Sequence, residues 1–423
     1  MTKTKISDLL FKVHDLYRIL LDQTDDSMNT INDDIMDGTQ CDSEWISRFW
    51  KGLVDASKGE KIEFEQKYKC LQEEKREHVP RKLFRFRRIL GNEIRYRNNP
   101  LLKGVPDNPF LDHHRLYEML CDNCDSNYPE IIKKFPNTSE IDNRMSEIKG
   151  CLYCSHVYYQ NDPYESFAVG MKPLDNDDET KKIAKSTFSN VLNEMIRKQS
   201  FCASFIALES PKSLPMWNHY AENNMGICLE YDTSKWERWK DAIFPVNYSK
   251  KLLGLKEYLG KDGISLPMPH TIIPFLTLKL LDWSYEHEWR IIVDSNLLRN
   301  LDKDKYEFVK NKRSTIPDDE LKKYYIDPCL SIKQIYNDKF LSSHEMQIIG
   351  ALLKDFPKPS KIYLPDIYHN MQYSCVDKGD LIYISAQRKL VELIRELNED
   401  SKEDQIELMK LRFTINGIEF EPY

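Results

Sequence analysis

The chain has 423 residues, 41% hydrophobic and 11% aromatic, which suits a folded protein with a sizeable core and excludes a disordered one. A formal net charge of −7 argues against a general polyanion binder while leaving room for a local basic cleft. The opening lacks a secretory signal pattern and no apolar run reaches transmembrane length, so a soluble cytoplasmic protein is expected.

Taken in chain order, residues 5 to 78 carry helical periodicity. Leu9, Leu10, Val13, Leu16, Tyr17 and Leu20 make one apolar stripe, and Trp45, Phe49, Trp50 and Leu53 begin another before Pro80 closes the run. This predicts a helical N-terminal module over 1–80, packed on the rest or offered to a regulatory partner. The character then changes. "RKLFRFRRIL" alternates Phe84 and Phe86 with Arg85 and Arg87, a strand with an arginine face. With Arg95 and Arg97 it forms a basic cluster suited to the phosphates of a nucleotide or an RNA strand, or to a neutralised strand face.

Two CxxC pairs, Cys121/Cys124 and Cys151/Cys154, follow His113 and His114 and raise the question of zinc. "CLYC" has no glycine or proline within it and reads as the start of a strand, and "LYEMLCDNCD" reads as a helix end. Reduced free thiols and no metal are expected. Asn161, Asp162 and Pro163 signal a turn, and residues 178–199 an amphipathic helix.

Farther on, "FCASFIAL" and "GICLEYD" read as strands flanking a short helix opened by Pro211. On that helix Trp217 and Tyr220 stand at i,i+3, either as core or as the wall of an aromatic cleft. "FLTLKLLDW" reads as helical, with Lys279 on its surface. In "DWSYEHEWRIIV" the period of two puts Glu286, Glu288 and Arg290 on one face of a strand, either a solvated surface or the floor of a cleft. "SSHEMQIIGALLKDF" reads as a helix, and the charged tail over 376–423 as a helical extension. Strands and helices without regular βαβ spacing predict an α+β fold over 81–375, a central mixed or antiparallel sheet flanked by helices.

"LFRFR", "YQNDPYES", "CASF", "MWNHYAENNMGICLEYD" and "KLLDWSYEHEWRIIV" occur in that order. Together they resemble the bacterial family of domain of unknown function 2971, over residues 81–365. Two departures stand out: Gln160 replaces an aromatic, and "QIYNDKF" lacks a glycine. An early strand arginine, a middle strand serine and a late Glu-x-Glu also resemble the order found in ADP-ribosyltransferases. That resemblance implies NAD as substrate and no metal, with Glu288 at the ribose, Glu286 on the acceptor side, Ser204 bracing the nicotinamide pocket and Arg87 anchoring phosphates. Asn161, Asp162, Trp217, Tyr220 and Arg290 complete the candidate cofactor-binding set. The acceptor would be a protein or a nucleic acid, and the setting a toxin or an antiphage effector. Two other classes stay open: a metal-dependent nuclease built on Asp162, Glu286 and Glu288, and a non-enzymatic nucleotide or peptide binder using Trp217.

Overall fold

A computed structural model describes residues 44–57, 61–89, 139–157, 178–180, 182–183, 200–221, 223–249, 273, 276–293, 295–310, 348–366, 378–401 and 405–423. Helix α1 (Glu44–Ser57) turns Phe49, Trp50, Leu53 and Ala56 inward, a spacing that keeps them on one face. Helix α2 (Lys61–His78) is densely charged and gathers Lys75, Arg76 and His78 in its last turn, where cations oppose the helix dipole. Strand β1 (Lys82–Arg87) follows Pro80. Helix α3 (Ser139–Ile148) ends at Gly150, whose φ of 105° suits glycine and whose absent Cβ would lie 2.7 Å from the carbonyl oxygen of Phe356.

Strands β2 (Leu152–His156) and β3 (Phe201–Ile206) come next, then helix α4 (Leu214–Tyr220) and strand β4 (Ile227–Asp232). Helix α4 starts after Ser213, with a proline in its first turn, and the indole of Trp217 donates to the carbonyl of Pro211 at 2.7 Å. A short helix α5 (Trp239–Ala242) leads into β5 (Ile243–Pro245), β6 (Asn247–Ser249) and β7 (Leu278–Leu280). A 3-10 turn, Leu281–Glu286, precedes β8 (Glu288–Val293) and helix α6 (Ser295–Asn300). The remaining elements are β9 (Tyr306–Lys310), β10 (Ile348–Leu353), β11 (Lys361–Pro365), helix α7 (Lys378–Asp400), β12 (Glu407–Thr414) and β13 (Gly417–Pro422).

The chain divides into two compact units, each gathered from three stretches. The first takes the described residues within Met1–Val79, Tyr153–Phe205 and Glu237–Lys354. Its strands run in the order β5-β8-β3-β2-β10-β9, with β5/β8, β2/β3 and β10/β9 antiparallel. Phe49, Trp50 and Leu53 pack there with Cys202, Phe244, Leu276, Leu278 and Ile292. Lys75 is buried in the same unit. Its ammonium donates to the carbonyls of Asp241 at 3.0 Å and Ile243 at 2.6 Å and sits over the ring of Phe244. Burial pulls its pKa well down.

The second unit takes the described residues within Pro80–Leu152, Ile206–Trp236 and Asp355–Tyr423. Its order is β13-β12-β11-β4-β1, antiparallel throughout except for the parallel pair β11/β12. A parallel pair needs a crossover, and α7 supplies it between β11 and β12. Phe84, Phe86, Met216, Trp217, Cys228, Tyr363 and Leu411 form its core. The outcome is a mixed α/β architecture, with parallel and antiparallel pairing in the sheet.

Three expectations are corrected. Residues 407–422 are not helical but form the β12/β13 hairpin, because Met409, Leu411 and Phe413 alternate ahead of an Asn416-Gly417 turn. Ile348–Leu353, read as helix, is strand β10, and Gly350 lies against the ring of Tyr153, where no side chain fits. Leu278–Leu280, read as helix, is strand β7. Residues 5–43, the 161–163 turn and most of the 178–199 stretch lie outside the described residues. "CLYC" does enter a strand: Cys154 is buried on β2, and it and Cys151 are free thiols, while Cys121 and Cys124 lie outside the described residues.

Candidate functional site

The opening of β8 builds the site. Strand β7 pairs parallel with β6 so that Tyr248 stands opposite Lys279, and side chains at paired positions share a face. The chain then folds through the 3-10 turn to Glu286, and His287 adopts the left-handed conformation, φ 45° and ψ 48°. Histidine visits this region at a cost of about 1–3 kcal/mol. The kink replaces the straight strand expected from the period of two, and it is what turns Glu286 and Glu288 onto one cation. Lys279 donates to Glu286 Oε2 at 2.6 Å and to Glu288 Oε2 at 3.1 Å. Arg290 grips Glu288 with one edge of its guanidinium, Nε to Oε1 at 2.7 Å and Nη2 to Oε2 at 2.8 Å, and gives Nη1 to the carbonyl of Leu276 at 2.7 Å. The backbone N–H of Glu288 donates to the Tyr248 hydroxyl at 2.8 Å.

Neither a solvated strand face nor a surface lysine describes this group. Lys279, Glu286, Glu288 and Arg290 are all buried, the most exposed at 7%. Burial raises a carboxyl pKa. At Glu288 it is overcome by Arg290 and then Lys279, with hydrogen bonds from Arg290 and Ser204, so the group is held well below the usual carboxylate range. Burial, reinforced by the Glu288 charge, pushes the Tyr248 phenol up, so it stays protonated. Ser204 on β3 is exposed and contributes to lowering the Glu288 pKa, which puts an edge of the network at the surface. Beside it, the Lys279 ammonium lies 4.9 Å from the ring of half-buried Trp283, which contacts exposed Tyr285.

Four of the sequence-predicted residues, Ser204, Glu286, Glu288 and Arg290, thus meet in the first unit. Lys279 is the member the sequence reading missed. A lone lysine inside the apolar run "LTLKLL" was the available signal, because a charge in such a run needs a buried partner. Tyr248 carried no comparable signal. Arg87, Trp217 and Tyr220 belong to the second unit. Trp217 is fully buried, edge-on to Phe86 at 5.2 Å and to Phe413 at 6.0 Å, so it serves the core rather than an open wall; Tyr220 packs at the margin of that core. Arg87 joins Arg85 and Arg144 around the buried carboxylate of Glu147. Asn161 and Asp162 lie outside the described residues. Among the described residues no group of three or more His, Cys, Asp or Glu side chains converges as a metal site, and no helix is long and apolar enough to cross a membrane.

The fold and site together define a mixed α/β protein built around a buried quartet of two carboxylates and two cations. Residues 216–291, which run from α4 to the middle of β8, match the family described as protein of unknown function (DUF2971). Comparison with curated proteins and with solved structures gives no match.

Proposed function

We propose that the Glu286–Glu288 site is an ADP-ribosyltransferase-like centre that cleaves the nicotinamide–ribose bond of NAD. The observation that carries this reading is the convergence of Glu286 and Glu288 on the Lys279 ammonium, with Glu288 held through both oxygens by Arg290. In such a reaction the C1′–N bond breaks with its electron pair passing to the nicotinamide nitrogen, and nicotinamide leaves neutral. The ribose gains oxocarbenium character, which a fixed carboxylate stabilises. The acceptor or water then adds at C1′ and loses its proton to a base, the role given to Glu286. In the described arrangement Lys279 holds Glu286 at 2.6 Å, so this step requires the ammonium to swing aside as substrate enters. Trp283 and Tyr285 supply the aromatic surface beside the carboxylates. A regulatory partner is proposed for the N-terminal helices α1 and α2. By analogy with how such enzymes are deployed, the setting that suits this chemistry is a toxin or an antiphage effector.

A second reading draws on a specific observation. Arg290 and Lys279 between them occupy both oxygens of Glu288, which suits a structural spine in a binding module without turnover. Nicotinamide release from NAD, measured on the purified full chain with cell lysate as acceptor source, separates the two. Release by wild type that drops about 100-fold or more in Glu288→Gln supports the first reading, the scale expected when one charge-stabilising group is removed. No release from folded wild type overturns it and leaves the binding module.

A further inference from the structure

The arginine cluster around Glu147 lies wholly in the second unit and stands apart from the Glu286–Glu288 site. Arg85 and Arg87 share a face of β1 because they are two residues apart, and α3 presents Arg144 and Glu147 one turn from each other. Glu147 divides its oxygens. Oε1 accepts from Arg85 Nη1 at 2.6 Å, while Oε2 accepts from both Arg87 Nε at 3.1 Å and Arg144 Nη1 at 3.0 Å. Two guanidinium groups therefore meet at one carboxylate oxygen. Arg87 spends only Nε on Glu147, and among the described residues its two terminal nitrogens donate to no other group. Solvent reaches these two arginines, whose side chains are 23% and 12% exposed, whereas Arg85 and Glu147 are at 4% and 3%.

We propose that Arg87 and Arg144 form a binding site for a phosphoryl group, with Glu147 as the buried counter-ion that holds both guanidinium groups in place. A terminal phosphoryl group has three oxygens, so it can take the open end of one fork and still reach the second guanidinium; the two oxygens of a carboxylate are used up by a single fork. The electrostatics agree. Burial opposes ionisation of Glu147, but Arg85, Arg87 and Arg144 bring its pKa down to about 2, so it remains a fixed charge. Burial and the neighbouring Arg144 pull the Arg87 guanidinium below its usual range, a repulsion that a bound anion relieves. The cluster also runs against the chain's net charge of −7, so it is a local feature and not part of a general basic surface. A nucleotide's phosphates and free phosphate offer the same chemistry.

Isothermal titration of the full chain with inorganic phosphate, inorganic pyrophosphate and ADP tests the site. Pyrophosphate is expected to bind, with Kd rising about tenfold or more in Arg87→Gln and less in Arg87→Lys, which keeps the charge and loses the fork. ADP binding tighter than pyrophosphate points to a nucleotide as the source, and equal affinity to free phosphate; both support the site. A second measurement needs no variant: phenylglyoxal modification of Arg87 in wild type, mapped by mass spectrometry, is slowed by pyrophosphate and not by sodium chloride of equal ionic strength. Absence of both heat and protection at millimolar pyrophosphate overturns the proposal, as does unchanged affinity in a folded Arg87→Gln. Nicotinamide release is scored separately, so failure here and failure of the NAD reading are distinguishable.

Discussion

Replacing Lys279 by methionine removes one charge from the quartet at nearly constant volume. Its ammonium contacts Glu286 at 2.6 Å and Glu288 at 3.1 Å. At an effective dielectric of about 20 each contact is worth roughly 5–6 kcal/mol of attraction, most of it offset by the desolvation of the ammonium. Removing one partner of a buried pair costs about 3–5 kcal/mol, since the other charge is left stranded. Glu288 keeps Arg290, so the carboxylate that loses most in Lys279→Met is Glu286, which gives up its 2.6 Å bond to the ammonium and is expected to take up a proton. Its folded pKa then lies above the unfolded value of about 4.3. A carboxyl raised in this way contributes stability below its unfolded pKa and loses it as pH rises through the folded pKa. Urea unfolding at pH 5, 6.5 and 8 should therefore show a deficit relative to wild type that is largest at pH 8 and shrinks toward pH 5. A deficit that is flat across this range, or below about 1 kcal/mol at pH 8, would refute the stranded-charge argument.

The second unit yields two more tests. A Cβ on Gly226 would lie 2.3 Å from the carbonyl oxygen of Arg87 and 2.8 Å from Ala221 Cα, backbone atoms that move only with strand β1 and with the end of helix α4. Gly226→Ala is expected to cost about 2–4 kcal/mol in urea unfolding. Gly417→Ala, with φ 117° but open space around it, should cost only about 1–2 kcal/mol of backbone strain, and the reverse ranking contradicts the steric account. Glu147→Gln leaves three guanidinium groups without their shared counter-charge, a loss of about 3–5 kcal/mol at pH 7. Because the pKa of Glu147 is depressed to about 2, its contribution is full above the unfolded value of about 4.3 and fades as pH falls toward 2. The gap between wild type and Glu147→Gln should close over that acid range in unfolding followed by circular dichroism, and a constant gap counts against the ion pairs as its source.

The parts of this molecule visible in its sequence are those where one period dominates. Phe84 and Phe86 against Arg85 and Arg87 declare a strand, and both faces of β1 are filled as that alternation requires: aromatics into the core, arginines onto Glu147. The β4 strand behind Gly226 was equally plain. Where two periods compete, the reading went astray. "IELMKLRFTINGIEFEP" continues the charge density of α7, which masked the alternation of Met409, Leu411 and Phe413; the Asn416-Gly417 turn was the stronger clue. At the site, the period of two correctly associated Glu286 with Glu288 but for a reason the structure does not use. His287 breaks the strand between them, and it is Lys279 on β7 that draws the carboxylates together. No local pattern encodes that partnership, because it depends on β6 pairing with β7 in parallel.

The two charged clusters follow different rules, and the difference bears on what each is for. In the first unit every member of the quartet is bonded to another member, and Glu288 has both oxygens engaged. Such a group is stable as it stands, so the NAD cleavage proposed for it would have to begin by displacing Lys279 and recover that cost from substrate binding. Around Glu147 the carboxylate is equally saturated, but the arginine fork is not: Arg87 reaches solvent with its terminal nitrogens uncommitted among the described residues. A buried carboxylate that fixes two guanidinium groups while leaving one fork open is already organised for an anion and requires no displacement. Binding at Arg87 should therefore be fast and salt-sensitive, whereas occupation of the Glu286–Glu288 site should be limited by the opening of the Lys279 bridge. Stopped-flow kinetics at two ionic strengths distinguishes the two. Pyrophosphate association is expected to slow markedly between 50 and 300 mM salt, and NAD turnover to respond to Lys279→Met far more than to salt. A turnover rate indifferent to Lys279 would remove the bridge from the reaction path and leave it a purely structural pair.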